Sequence, residues 1–377
     1  VTVNDHDGIE PNGVDEEVEA AIGDEEVDWA ILEKSLFEIF ERKTPPGVIP
    51  YLKKLGRVND VLMNESEAVR PYSASGLPGG IVQLNNDLPT IIIPDLHARM
   101  DLFLSTMGFE LEEGCTVLQN LARGAVQVVC VGDGFHAEGR AVERWKKAYT
   151  EFASNYKKHR NMDEEMRESL GVMEMVIEVK SACPDHFHFL KGNHENVANE
   201  QGNGNHPFRK YAYEGPMVAQ YVRQFYGDEF FEAYYEFERN LPLLAIGRNF
   251  LISHSEPGQF YDRDAILEYR DLPDVIEGLT WTANDEAEDD SVSRMLAYYL
   301  DIGEEGVTFY FGGHRPVRER YNLRADGKYV QIHNPDRFII ALLYPDRALE
   351  LDGDIIEIEN LTAGGLRSEN HRKACMD

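Results

Sequence analysis

The stretch HFHFLKGNHE, His186–Glu195, is an apolar run that stops at a glycine and is followed at once by Asn193 and His194, two side chains able to ligate or protonate a substrate. Runs of four to eight β-branched and aromatic residues ending in Gly or Pro read as buried strands opening into loops. The same pattern recurs four times. TIIIP leads to Asp95 and His97 in PDLHA, and VQVVCVG leads to Asp133 in VGDGFH. NFLIS leads to His254 in ISHSEP, and VTFYFGG leads to His314 in GGHRP. Neighbouring strand ends bring residues distant in sequence into one cluster. Two Asp, one Asn and three His are thereby suited to metal ligation, with His194 left over.

The residue types point to a particular chemistry. A phosphate ester repels nucleophiles through its negative oxygens, and two divalent cations roughly 3.5–4 Å apart neutralise those oxygens and supply hydroxide at neutral pH. Carboxylates and an Asn carbonyl suit Mn²⁺ or Fe, and imidazole suits Fe, Zn or Mn. No thiolate belongs to the set. The inventory is that of a two-metal phosphoester-cleaving site.

From about Leu88 to about Asp346 the chain resembles the calcineurin-like metallophosphoesterases, and within them the serine/threonine phosphoprotein phosphatases. The tetrapeptide GNHE is the specific match. FERNLPLLAIGRNFLISHSEP and GLTWTAND are similar to further segments of that branch. The resemblance implies an α/β/β/α sandwich of two mixed sheets flanked by helices. It implies one metal held by Asp95, His97 and Asp133, and a second held by Asp133, Asn193, His254 and His314, with Asp133 as the bridge. His194 is then the general acid. The implied reaction is hydrolysis of a phosphomonoester by direct attack of a metal-bound hydroxide, on a phosphorylated protein or a small phosphomonoester. A nucleotide or small-molecule phosphatase, including a dinucleoside polyphosphate hydrolase, is the alternative enzyme. A non-catalytic phosphate-binding scaffold is the alternative of another class, and the complete ligand set weighs against it.

The chain also departs from that branch. Its GDxxDRG motif is replaced by GDGFHAEGR, which puts His136 where an Asp orients the general acid. Glu138 is expected to take over that role, unless His136 fills it differently. The phosphate-gripping Arg is displaced: Arg140 is the nearest candidate, followed by Arg99 and Arg315, with Arg209 and Arg294 as others. Arginine suits the task because its planar fork binds two phosphate oxygens at once. Ser255 and Glu256 stand in place of a glycine pair and are expected to narrow or alter the site. Nuclease and diesterase relatives end in Gly-His-x-His, whereas Arg315 and Pro316 follow His314 here, so the first metal is expected to lose a protein ligand.

Composition sets the limits around this site. With 377 residues, 42% hydrophobic and 28% charged, the chain reads as globular, and it lacks an apolar run of membrane-spanning length. The net charge of −31 disfavours nucleic acid and anionic membranes as partners, since both are bound by neutralising phosphates with Lys and Arg. Residues 1–33 hold twelve Asp or Glu and no Lys or Arg. Residues 1–27 therefore read as an acidic disordered tail. An amphipathic helix is expected to begin near Asp28, within a helical or irregular segment spanning 28–87. Residues 88–362 read as the catalytic domain, with a helical insertion at about 140–182, and 363–377 as a tail. The Met residues at 162, 166, 173 and 175 read as core filling. His206, in the Gly- and Asn-rich stretch after GNHE, reads as a loop residue. Four cysteines without a close pair suggest incidental thiols and a cytoplasmic location. The oligomeric state is not legible.

Overall fold

The computed structural model describes residues 27–111, 114–301 and 307–362. The acidic segment through residue 26 and the tail from 363 lie outside these residues. The described strands are β1 (Ile81–Gln83), β2 (Thr90–Ile93), β3 (Gln127–Cys130), β4 (Phe187–Phe189), β5 (Leu244–Ile246), β6 (Phe250–Ile252), β7 (Phe309–Gly312), β8 (Asn322–Arg324), β9 (Tyr329–Gln331), β10 (Ile339–Leu343) and β11 (Ile355–Glu357). The helices are α1 (Trp29–Glu41), α2 (Val48–Met63), α3 (Met100–Met107), α4 (Val117–Ala122), α5 (Val142–Ala153), α6 (Arg160–Ala182), α7 (Glu214–Phe225), α8 (Asp228–Arg239), α9 (Arg263–Leu267), α10 (Pro273–Thr280), α11 (Ser291–Tyr299) and α12 (Leu351–Asp354).

Two mixed sheets result. One has the order β1-β5-β6-β7-β9-β8 and the other β11-β10-β2-β3-β4. Because strand side chains alternate between faces, each apolar run feeds two cores. Ile91, Ile93, Val128 and Cys130 point to the helix-covered side of the smaller sheet, whereas Ile92, Val129 and Val131 point inward at the other sheet. In the larger sheet, Ala245, Phe250, Ile252 and Phe311 face that shared interior, and Leu244, Ile246, Leu251 and Tyr310 pack outward with residues of α9–α11. Burying each such side chain contributes roughly 1.5–3 kcal/mol, so a one-residue slip, which would exchange the faces, is strongly disfavoured. The architecture is the α/β/β/α sandwich.

Helix α1 begins where the sequence indicates. Asp28 caps it by accepting from the Ala30 and Ile31 amides at 3.0 and 3.1 Å. Leu32, Leu36 and Ile39 bury its inner stripe, while Ile31 is exposed. The long helix α6 lies in the helical core, with Met162, Met166, Met173 and Met175 fully buried. It bears directly on the site: a Cβ on Gly134 would lie 2.0 Å from Met173 Sδ, so the helix supports the loop that carries Asp133. Cys130 and Cys183 are free and buried. Among the described residues no helix is long and apolar enough to cross a membrane.

Parallel pairing aligns the strand ends. Ile93, Cys130 and Phe189 are in register across β2, β3 and β4. Ile252 pairs with Phe311, and Gly312 with Gln331, across β6, β7 and β9. The loops leaving these strands carry the chemistry.

Candidate metal centre and its catalytic neighbours

Asp95 and His97 follow β2, Asp133 follows β3, Asn193 and His194 follow β4, His254 follows β6 and His314 follows β7. All are buried except His314, which is partly so. The fold brings these seven sequence-selected residues together. Three of them, and the nearby His136, hold left-handed backbone that residues with a Cβ rarely adopt: φ is 42° at His97, 53° at Asp133, 63° at His314 and 67° at His136. Such conformations concentrate where surrounding structure over-determines the geometry. Close approach also demands glycine, because a Cβ on Gly313 would come within 1.7 Å of Asp95 Oδ1. One on Gly192 would come within 2.2 Å of Asp133 Oδ1.

Proton positions decide what the cluster can hold. His254 Nδ1 donates to the Val131 carbonyl at 3.0 Å, which leaves Nε2 of the neutral ring with a lone pair. That nitrogen faces Asn193 Oδ1 at 3.0 Å and Asp133 Oδ2 at 3.4 Å. His314 Nδ1 joins them, 2.9 Å from Asn193 Oδ1 and 3.3 Å from His254 Nε2. Imidazole nitrogens, an amide oxygen and a carboxylate oxygen converging in this way are donor types that ligate a metal ion. A second convergence lies beside the first: His97 Nδ1 is 3.4 Å from the Phe135 carbonyl, and its Nε2 is 3.6 Å from Asp133 Oδ2 and 3.9 Å from Asp95 Oδ2. The buried Asp95 Oδ1 has no hydrogen-bond partner among the described residues.

Electrostatics agrees with this reading. Burial lifts the Asp133 carboxyl well above the usual carboxylate range, and the charges of Asp95 and Glu195 lift it further. Burial likewise raises Asp95. Burial pulls His97 and His254 down to about 4, so both rings are neutral at physiological pH, the state in which imidazole ligates metal. Two buried carboxylates surrounded by imidazole and amide donors could hold divalent metal ions. The donor set of carboxylate, amide oxygen and imidazole suits hard or borderline ions.

His194 lies beside this centre. Its amide donates to Asp133 Oδ1 at 2.9 Å, and its Nε2 is 3.8 Å from Asp133 Oδ2. Its Nδ1 bonds His136 Nδ1 at 2.8 Å, so the side chain against His194 is His136 and not Glu138. Burial, then the charge of His97, pulls His136 down to about 3, so it acts as a neutral hydrogen-bonding partner. The role expected of Glu138 therefore needs correction: its carboxylate faces away from His194, toward His97 Nε2 at 3.8 Å, His333 Nε2 at 3.3 Å and Lys210 Nζ. Burial pushes that carboxyl up, but His97, His333 and Lys210 outweigh it and hold Glu138 below its usual range.

The arginines separate by partner. Arg99 is buried, and its guanidinium donates to the carbonyls of Asn334, Pro335, Arg337 and Asp95 at 3.0–3.3 Å, so it is a clamp between loops and not a phosphate grip. Arg140 is drawn onto Glu168 and the Ala98 carbonyl. Arg209 packs over Tyr213, and Arg294 over Phe260. Arg315 stands exposed next to His314 and forms no ion pair among the described residues. Glu256 is held by Arg324 Nε at 2.9 Å, which engages the charge expected to reshape the site. His206 bonds Glu277 at 3.0 Å, as suits a loop residue.

Three neighbours escaped the sequence reading. Glu195 accepts from the amides of Asp133, Gly134 and Gly192 at 2.6–2.9 Å and so ties the second loop to the third. Phe208 lies with its ring centre 3.8 Å from that of His194 and stacks on His136. His333 lies two residues beyond β9, as His254 and His314 lie two beyond β6 and β7. That repeated offset is the signal that could have found it.

A model of the calcineurin-like phosphoesterase family matches residues 88–318. Among solved structures, a protein serine/threonine phosphatase from Saccharomyces cerevisiae with similarity to human phosphatase PP5 superposes with a TM-score of 0.53 at 14% identity, covering 88% of this chain and 95% of that one. A cold-active protein-tyrosine phosphatase of a psychrophile, Shewanella sp., gives a TM-score of 0.41 at 14% identity, covering 74% of this chain and 83% of that one. No curated protein matches the sequence. The family match spans more than half of the chain and contains Asp95, His97, Asp133, Asn193, His194, His254 and His314, so the chain belongs to the calcineurin-like phosphoesterases and is a phosphoesterase.

Proposed function

We propose that this protein is a dinuclear phosphomonoesterase acting on phosphoserine or phosphothreonine in proteins. The observation that carries the dinuclear reading is the convergence of His254 Nε2, His314 Nδ1, Asn193 Oδ1 and Asp133 Oδ2 at 2.9–3.4 Å, with Asp95 and His97 beside them. Asp133, Asn193, His254 and His314 would hold one ion, and Asp95, His97 and Asp133 the other. When bound, two such ions supply charge neutralisation of the phosphoryl oxygens and a strongly acidified water.

The chain's own residues do the rest. His194 presents Nε2 beside Asp133 and protonates the leaving oxygen, while His136 fixes its ring through Nδ1. Arg315, at the rim next to His314, draws in the phosphate. Phe208 covers the His194 and His136 rings and limits water around the acid. The preference for phosphoproteins rests on the FERNLPLLAIGRNFLISHSEP and GLTWTAND segments, with a nucleotide or small-molecule phosphatase as the competing reading.

Metal-loaded protein should be screened on phosphopeptides, nucleotides, sugar phosphates and a diester, with metal content measured in parallel. The expected result is about two ions per chain, highest kcat/KM on phosphopeptides and loss of activity on chelation. Highest kcat/KM on nucleotides selects the competing reading. His194→Asn should keep both ions yet slow an alkyl phosphate by roughly 10²–10⁴-fold, the usual worth of a general acid.

A further inference from the structure

GGHRP offers no second histidine after His314, so the ion at Asp95 and His97 is expected to be short of a protein ligand. The structure supplies an imidazole from another direction. Strand β9 runs parallel to β7, and the loop after it places His333 beside Asp95 and His97. Ligand atoms of Asp95, His97 and His333 all lie within 4.8 Å of one another. The three histidines 254, 314 and 333 thus step across adjacent strands β6, β7 and β9, each at the same offset.

Ring orientation identifies the atom involved. His333 is 1% exposed, and its Nε2 is 3.3 Å from Glu138 Oε2, so the ring hydrogen sits there and is donated to the carboxylate. Nδ1 then carries a lone pair. It lies 3.7 Å from Asp95 Oδ2 and has no hydrogen-bond partner among the described residues. A buried lone pair aimed at a carboxylate is unfavourable on its own and favourable with a cation between the two. The carboxylate behind the ring supports this, because metal-bound histidines characteristically donate their other N–H to such a group, which fixes the tautomer and raises ligand basicity.

The surroundings hold the ring in place. Arg99 ties the carbonyls of Asn334, Pro335 and Arg337 to that of Asp95, so the loop carrying His333 and the loop carrying Asp95 are fastened together. The Val317 amide bonds the His333 carbonyl at 2.8 Å. Lys210 and His97 flank the other Glu138 oxygen and balance its charge.

We propose that His333 is a fourth protein ligand, through Nδ1, of the ion held by Asp95, His97 and Asp133, and that Glu138 is the positioning residue that orients it. This rests on the dinuclear reading above. Ions retained by wild type, His333→Asn and Glu138→Gln should be counted after desalting, and affinities measured by competition with a chelator. Wild type should retain about two Mn²⁺ or Zn²⁺ ions, and His333→Asn one. Glu138→Gln should bind the affected ion roughly 10–100-fold more weakly, as expected for loss of an orienting partner. Two ions held by His333→Asn with unchanged affinities would overturn the ligand assignment while leaving the dinuclear site intact. A wild type that binds no ion brings down both. Should His333→Asn not fold, nitrogen NMR of the histidine rings in wild type decides: Zn²⁺ must move the His333 Nδ1 resonance, and an unmoved signal overturns the proposal.

Discussion

Among the described residues, two buried clusters of charged and polar side chains are built on opposite rules. In the first, Glu65 bonds Lys180 and Arg70 at 2.5 Å each. Arg70 also donates to the Gly79 and Asn240 carbonyls, and Lys180 to that of Pro184. Burial pushes the Glu65 carboxyl up, but Lys180 and then Arg70 outweigh it and hold it at about 2. In the second, around Asp95 and Asp133, carboxylates, an amide oxygen and imidazoles converge, and no Lys or Arg of the described residues pairs with either carboxylate. The first cluster is complete as protein. The second is completed by ions under the dinuclear proposal, and buried titratable groups gathered without a compensating partner are where a working site is to be sought.

The contrast makes opposite forecasts for two isosteric substitutions. Asp133→Asn should have the largest functional effect, lowering turnover by at least about 10³-fold, because several kcal/mol of charge stabilisation depend on the bridging carboxylate. Yet it removes a charge from a repulsive cluster. Its denaturation midpoint without metal should therefore equal or exceed that of chelated wild type. At roughly 100 times Kd, metal should stabilise wild type by about 2.7 kcal/mol and the variant by much less. A strongly destabilised apo variant would break the comparison.

Glu65→Gln should do the reverse. It strands two buried cations, which costs about 3–5 kcal/mol of stability, while metal content stays at the wild-type level. The pH dependence follows from the depressed carboxyl. Because its folded value of about 2 lies below the ordinary 4.5, its contribution is fully present above 4.5 and is lost as pH falls from there through about 2. Urea midpoints measured across that window should fall more steeply for wild type than for Glu65→Gln. Parallel curves would mean that Glu65 is not held ionised by its neighbours.

The fold was legible where period and punctuation agreed. Apolar runs in TIIIP and VQVVCVG, each closed by Pro or Gly, located strands whose neighbours then lay in register, and Asp28 marked the start of α1. His333 was not legible in the same way, since KYVQIHN is mixed in polarity and its histidine precedes no Gly-rich signature. Glu138 illustrates a different limit. Spacing along GDGFHAEGR puts it two residues from His136, but the positive φ at His136 turns the chain, so one side chain meets His194 and the other meets His333. Arg99 looked like a phosphate grip because nothing in its neighbourhood of sequence announces the carbonyls of 334–337. Such partners arrive through topology alone.

The smallest expected effect tests a well-made polar contact between two side chains of the working cluster. His136 Nδ1 and His194 Nδ1 share a single hydrogen at 2.8 Å, and Phe208 stacks on His136 while touching His194. Losing a neutral hydrogen bond of about 1–1.5 kcal/mol corresponds to about tenfold in rate. His136→Asn should therefore slow an alkyl phosphate about tenfold and leave an aryl ester, whose leaving group needs little protonation, nearly unchanged. Added to His194→Asn it should cost almost nothing more, because residues that act as one unit are not additive. Glu138→Gln belongs to a different arm of the site. At saturating metal its loss should be similar on both esters and should multiply with that of His194→Asn. Five variants and the two esters decide the matter: a Glu138→Gln effect confined to the alkyl ester would restore Glu138 as the partner of His194 and remove His136 from that role.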